Sequence, residues 1–228
     1  MKVGKVIPEV EVEIRGRIVE MPKVIYSASG IKILGTRIKS LLFSTDVAVI
    51  ENNNADAVIA VYPFTPQLSI TEAILDVASV PVFCGVGGGV TTGHRSADIA
   101  LQAELKGAYG VVVNAPIDQE TVKDIRDKID IPIVLTVVSE HDNYREKIEA
   151  GVKILNVSGG ADTAKIVKKI RKSYPDFPII ATGGPTDESI AETIEAGANA
   201  ITYTPPTGGE IFSEVMVAYR EEKDAESG

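Results

Sequence analysis

Residues 176–206 read DFPIIATGGPTDESIAETIEAGANAITYTPP, and the fold turns on how this stretch divides. A short apolar run, Ile179 to Ala181, ends in Gly183-Gly184. Behind it Ile190, Ile194 and Ala198 recur at helical spacing, and Gly197 stands where a helix ends. A second apolar run, Ala200 to Tyr203, begins almost at once. Two strands joined through a helix must run parallel, which puts the glycine turn at their carboxyl ends.

That turn has a chemical use as well as a steric one. Glycines let backbone N–H groups converge, and a helix start behind them adds partial positive charge, so the turn suits an anion without needing lysine. The same pair also suits a plain tight turn. The unit resembles the last two βα units of the phosphate-binding (β/α)8 barrels: the ribulose-phosphate-binding barrels, the thiazole synthase-like proteins and the glycerol-uptake antiterminators. The resemblance implies a phosphate held at Gly183, Gly184, Thr204 and Thr207. It covers the last third of the chain by motif and the rest by pattern.

A chain of 228 residues suits one domain with a substantial core. A net charge of −9 argues against a nucleic-acid or anionic-membrane partner. The single cysteine, Cys84, excludes an internal disulfide, suits a reducing cytoplasm and reads as a small core residue. Met1-Lys2 opens charged, alternating sequence rather than a signal peptide, and no apolar run reaches the ~20 residues that span a bilayer.

Outward from the deciding stretch, its pattern recurs. Apolar runs follow proline at 22, 81, 132 and 178; others follow Asn54, Gly107, Gly151 and Gly197, and the two kinds alternate. Eight strands in four tandem βαβα units predict an α/β fold, a closed parallel (β/α)8 TIM barrel over 22–228. Helices are expected near 34–53, 69–78, 95–106, 118–129, 142–150, 162–174, 187–196 and 209–223. Asp46 to Ile50 looks like a strand by itself, but its place before Asn54 makes it the end of the first helix. Ser69-Ile-Thr-Glu72 has capping-box spacing. Residues 1–21 alternate around Gly16 and read as a separate amino-terminal β-hairpin, which would plug the barrel or pair with another chain.

In such a barrel the working face lies at the carboxyl ends of the strands. There the pattern places Ser27 after strand one and the glycine-rich Gly85–Arg95 loop, with Thr91, Thr92, His94 and Arg95, after strand three. It places Asn114 after strand four, Glu140 and His141 after strand five, and Asn156 and Ser158-Gly159-Gly160 after strand six. His94, Glu140 and His141 are the proton-transfer candidates. Gly159-Gly160 is a second cradle, and Ser27, Thr92, Arg95, Asn114, Asn156 and Ser158 are substrate-binding candidates. No expected strand ends in lysine, no Asp/Glu/His group has metal-ligand spacing, and no G-x-S-x-G elbow stands in the required setting.

The expectation is therefore a cytoplasmic, metal-independent enzyme of lyase, isomerase or hydrolase type acting on a small phosphorylated metabolite. The chain also resembles bacterial barrels catalogued as hydrolases. Two alternatives stand beside it: an oxidoreductase barrel using FMN, whose phosphate would take the same turns, and a non-catalytic ligand-sensing barrel. A homo-oligomer formed through the amino-terminal hairpin is a further expectation.

Overall fold

The computed structural model describes Pro8, Val10 and residues 18–226. The hairpin expected within residues 1–21 lies almost wholly outside the described residues. A 3-10 turn over Lys23–Ser27 leads into a two-stranded antiparallel hairpin, β1 (Ile31–Ile33) and β2 (Thr36–Ile38). Eight parallel strands follow: β3 (Ser40–Phe43), β4 (Ala57–Ala60), β5 (Val82–Gly87), β6 (Gly110–Asn114), β7 (Ile133–Val137), β8 (Ile154–Val157), β9 (Ile179–Thr182) and β10 (Ala200–Tyr203). They close in sequence order, β10 pairing with β3, into the expected (β/α)8 barrel. Between and after them come α1 (Val47–Glu51), α2 (Leu68–Val77), α3 (Gly93–Leu105), α4 (Gln119–Arg126), α5 (Tyr144–Ala150), α6 (Thr163–Ser173), α7 (Asp187–Glu195) and α8 (Gly208–Glu226).

Continuous apolar strands are what a parallel barrel requires, because both faces of each strand are covered. Residues facing outward, such as Leu42, Val58, Val111, Leu135 and Leu155, form one core with the helices. Residues facing inward, among them Leu41, Ile59, Phe83, Val112, Val134 and Ile180, fill the barrel as a second. Cys84 is buried with the outer core, and burial pushes its thiol up to about 12, so it is inert at neutral pH.

Seven of the eight expected strands stand where the repeat places them. The first does not: residues 23–27 form the 3-10 turn, and the first barrel strand is β3. Only the carboxyl end of the helix expected over 34–53 is helical, α1, and Asp46 caps it by accepting from the amides of Ala48 and Val49. The Ser69 capping box does not form; α2 starts at Leu68 with no side-chain cap.

The inserted hairpin has a definite task. β2 ends just before β3 begins, at the amino-terminal end of the barrel. Ile31, Ile33 and Ile38 pack against the interior cluster, and Tyr109, just before β6, donates to the Ile33 carbonyl at 2.8 Å. Asp56 accepts from the amides of Lys39 (2.8 Å) and Ser40 (3.0 Å). The hairpin turns on Leu34 and Gly35, both with positive φ (46° and 89°), which gives the backbone sense of the two-residue turns that match strand twist. The barrel is plugged at that end.

Candidate functional site

Alternation along each strand decides which side chains reach the open end. The inward position one step above the apolar filling carries Asn114 on β6, Thr136 on β7 and Asn156 on β8, in register across three strands. A second row continues with Ser158, just past β8, Thr182 on β9 and Thr202 on β10, the last two directly paired. With Phe43, Ile59, Val61 and Thr204 these residues enclose a cavity of about 210 Å3. A second cavity of about 150 Å3 shares Val61 and Asn114 and adds Tyr62, Phe64, Gly87 and Thr91. Together they reach only the lower end of the ~300–1,000 Å3 usual for ligand sites, which suits a small metabolite and leaves little room for a flavin.

The polar atoms of the mouth are only partly satisfied. Asn156 donates through Nδ2 to Thr136 Oγ1 (3.3 Å), and Thr182 Oγ1 donates to Ser158 Oγ (3.3 Å). Asn156 Oδ1 and Thr202 Oγ1 are buried with no partner among the described residues, although their side chains are only 7% and 5% exposed. Each such atom costs on the order of 1–3 kcal/mol unless a water or a ligand group meets it. Among the described residues no Lys, Arg, Asp, Glu or His lines either cavity.

The glycine-rich loop after β5 forms one wall. Gly88, at φ 99°, lies so close to β6 that a Cβ there would come within 2.4 Å of the Asn114 amide nitrogen. The loop is then pinned: Gly93 donates to Thr121 Oγ1 (2.9 Å), whose hydroxyl donates to Asp118 Oδ2 (2.8 Å). The Thr121 amide, Asp118's main partner, holds that carboxyl below its usual range. Thr91 lines the cavity, but Thr92, His94 and Arg95 lie off both walls.

The structure separates the candidates. Asn114, Asn156, Ser158 and Thr204 meet in the mouth. Ser27 is at the plugged end, because residues 23–27 are not a barrel strand; its hydroxyl donates to the Val24 carbonyl. His94 faces the outer helix ring, with Nδ1 3.1 Å from Asp124 of α4, and its side chain is 86% exposed. Glu140 is drawn to α6 by Lys165 (3.0 Å) and Lys169 (3.6 Å); the Lys165 ammonium, first, keeps its carboxyl below the ordinary glutamate range. His141 is exposed on the rim, 4.0 Å from Glu140. None of these three lines the mouth.

The glycine cradles fare unevenly. The Gly159 amide is taken by Thr163 Oγ1 (3.0 Å), and Gly160 is exposed. Glu210 accepts from both the amide and the hydroxyl of Thr207 (2.8 Å each), the amide chiefly holding its carboxyl low. Asp46 accepts from Gly208 (2.8 Å), so carboxylates already occupy the start of α8. Gly183 has a packing reason, since a Cβ there would come within 2.7 Å of Ile190. Gly184, at φ 85°, is exposed beside it, and Thr204 stands on the cavity wall.

Thr136, Thr182, Thr202 and Phe43 are mouth residues that reading the loops alone misses. The signal was in the repeat: Thr136 and Thr182 are the fifth residues of the proline-led runs at 132 and 178. Among the described residues no group of three or more His, Cys, Asp or Glu could hold a metal ion, and no helix is long and apolar enough to cross a membrane.

No family description and no curated protein matches the chain. Solved structures do, through their fold. Phosphonopyruvate hydrolase in complex with oxalate and Mg2+ superposes with a TM-score of 0.60 at 13% identity, covering 89% of this chain and 85% of that one. 2,3-Dimethylmalate lyase, a member of the PEP mutase/isocitrate lyase superfamily, gives 0.59 at 14%, covering 89% and 84%. A variant of mandelate oxidase gives 0.60 at 14%, covering 78% and 69%. A hydrolase, a lyase and an oxidase on one scaffold fix the barrel and leave the chemistry to the site.

Proposed function

We propose that the barrel binds one small metabolite in its open mouth and acts on it as an enzyme of lyase, isomerase or hydrolase type. The observation that carries this reading is the pair of buried, unpartnered atoms, Asn156 Oδ1 and Thr202 Oγ1, on the wall of the 210 Å3 cavity. A ligand group meeting both removes a cost that the free protein bears. A phosphoryl or other anionic group of the same molecule would lie at the Gly183-Gly184 turn beside Thr204. Hydrolases and lyases among the similar folds support an enzyme. Proton transfer then falls to Tyr62, on the second cavity wall, or to His141 from the rim.

Melting temperatures measured against a panel of small phosphorylated and unphosphorylated metabolites test this. A ligand at a hundredfold excess over its Kd raises Tm by about 5–10 °C. Thr202→Val and Asn156→Ala should each weaken binding about tenfold and so roughly halve the rise. A rise that neither substitution changes places the site elsewhere.

One observation favours a second reading, a barrel that senses its ligand without transforming it: among the described residues Tyr62 is the single titratable side chain on the two cavity walls. Tyr62→Phe and His141→Ala decide between the two. Sensing leaves affinity intact with no turnover to lose; catalysis loses turnover at unchanged affinity.

A further inference from the structure

We propose that the part of the ligand buried in the mouth is a planar, uncharged ring carrying an amide-type edge, with N–H beside C=O, as in cyclic amides, ureides and pyrimidine bases. This rests on the reading of the mouth as the ligand site and names the chemistry it takes.

Three independent features converge. The first is charge. Among the described residues neither cavity wall carries a cation or an anion, so a charged group at this depth would lose water and gain no counter-charge there. The second is the hydrogen-bonding pattern. Asn156 spends its amide nitrogen on Thr136 and leaves Oδ1 as a bare acceptor, which requires a donor from the ligand. Two strands away in the same row, the Asn114 carboxamide has no partner among the described residues and offers both a donor and an acceptor. A carboxamide meets a neighbouring N–H and C=O in one plane with two bonds, as asparagine does with base edges. On the opposite side Thr202 Oγ1 takes a second polar group.

The third feature is aromatic. Phe43 lines the mouth cavity, and Tyr62 and Phe64 line its neighbour. Phe43 and Phe64 remain 38% and 75% exposed. Flat apolar faces left open at the entrance suit stacking on a flat ring better than contact with a flexible chain. A cavity of about 210 Å3 takes one such ring and little more.

Calorimetry and ligand-observed NMR with the full chain test the class using four probes: uracil, 1,3-dimethyluracil, orotate and erythritol. Uracil should bind saturably, and Asn156→Ala should weaken it about tenfold, the equivalent of one lost hydrogen bond. Dimethyluracil, which keeps the shape but has no N–H, should bind at least about tenfold more weakly than uracil by the same reckoning. Orotate carries its carboxylate on the ring itself, at the depth of the uncharged walls rather than at the exposed Gly184 turn, so it should also bind more weakly, and erythritol should not compete. Thr202→Val supplies a second variant should Asn156→Ala melt early. Dimethyluracil or orotate binding as well as uracil, or erythritol displacing it, overturns the proposal.

Failure of uracil to bind also overturns the ring chemistry. If another metabolite then raises Tm in a Thr202-dependent way, the mouth remains the ligand site and only the ligand class falls. If no ligand depends on Asn156 or Thr202, both readings fall.

Discussion

At the amino-terminal end of the barrel Tyr109 gives its hydroxyl proton to Ile33, Asp56 takes two amides, and three isoleucines of the hairpin close the interior. At the carboxyl-terminal end, on β8 and β10, Asn156 and Thr202 keep buried oxygens with no partner among the described residues. One end lowers the energy of the folded chain; the other holds some of it back. A barrel that needed both ends for stability would have filled the mouth with valine and leucine, as it fills the layer beneath. The division of labour is therefore written into side-chain choice two residues apart on β6 to β10, where Val112, Val134, Ile154, Ile180 and Ala200 are followed by Asn114, Thr136, Asn156, Thr182 and Thr202.

Substitutions can break this contrast, beginning with the largest expected effect. Ile38→Ala should cost about 2–5 kcal/mol in chemical denaturation, because the side chain is 1% exposed in the plug and leaves a cavity. A loss under about 1 kcal/mol, well below the usual range for such a truncation, would mean that the plug does not stabilise the barrel. Asp56→Ala strands the Lys39 and Ser40 amides and should cost about 1–3 kcal/mol by the same measurement. Leu34→Asn should change stability in the other direction, by about 0.5–1 kcal/mol. Leu34 is 81% exposed, so it loses little packing, and asparagine accepts positive φ more readily. Thr202→Val, at the open end, should leave ligand-free stability unchanged or raise it by at most about 1 kcal/mol, since it removes a buried hydroxyl without a partner. A loss comparable to that of Ile38→Ala would erase the distinction between the ends.

How much of this was legible depends on what repeated. The four tandem units expose seven strands, because proline before one strand and glycine, once asparagine, before the next recur with short apolar runs. The plug is not part of the repeat, and its turn hides behind an unusual residue. Leucine at the first position of a two-residue hairpin turn replaces the expected asparagine or aspartate, so I-K-I-L-G-T-R-I reads as helix rather than hairpin. The proline-led run at 22 imitates the others in composition, yet it becomes a 3-10 turn that lies outside the ring of paired strands.

The mouth was half legible. Asn114 and Asn156 stand out as polar residues ending apolar strands. Thr136, Thr182 and Thr202 do not, since threonine is an ordinary strand residue and its role appears only from which way it faces. The two histidines and Glu140 are a different case, chosen by residue type and standing off both cavity walls. Residue type suggested chemistry, but loop position alone does not fix direction; His94 leans on Asp124, and Glu140 follows two lysines outward.

The plug has one more effect, on traffic rather than on stability. With Ile31, Ile33 and Ile38 sealing the floor, the interior is a blind alley. Whatever exchanges with the mouth does so through its open end, past Phe43, Tyr62 and Phe64 on the cavity walls. A ligand bound there, as proposed, would enter and leave by the same opening as the water it displaces.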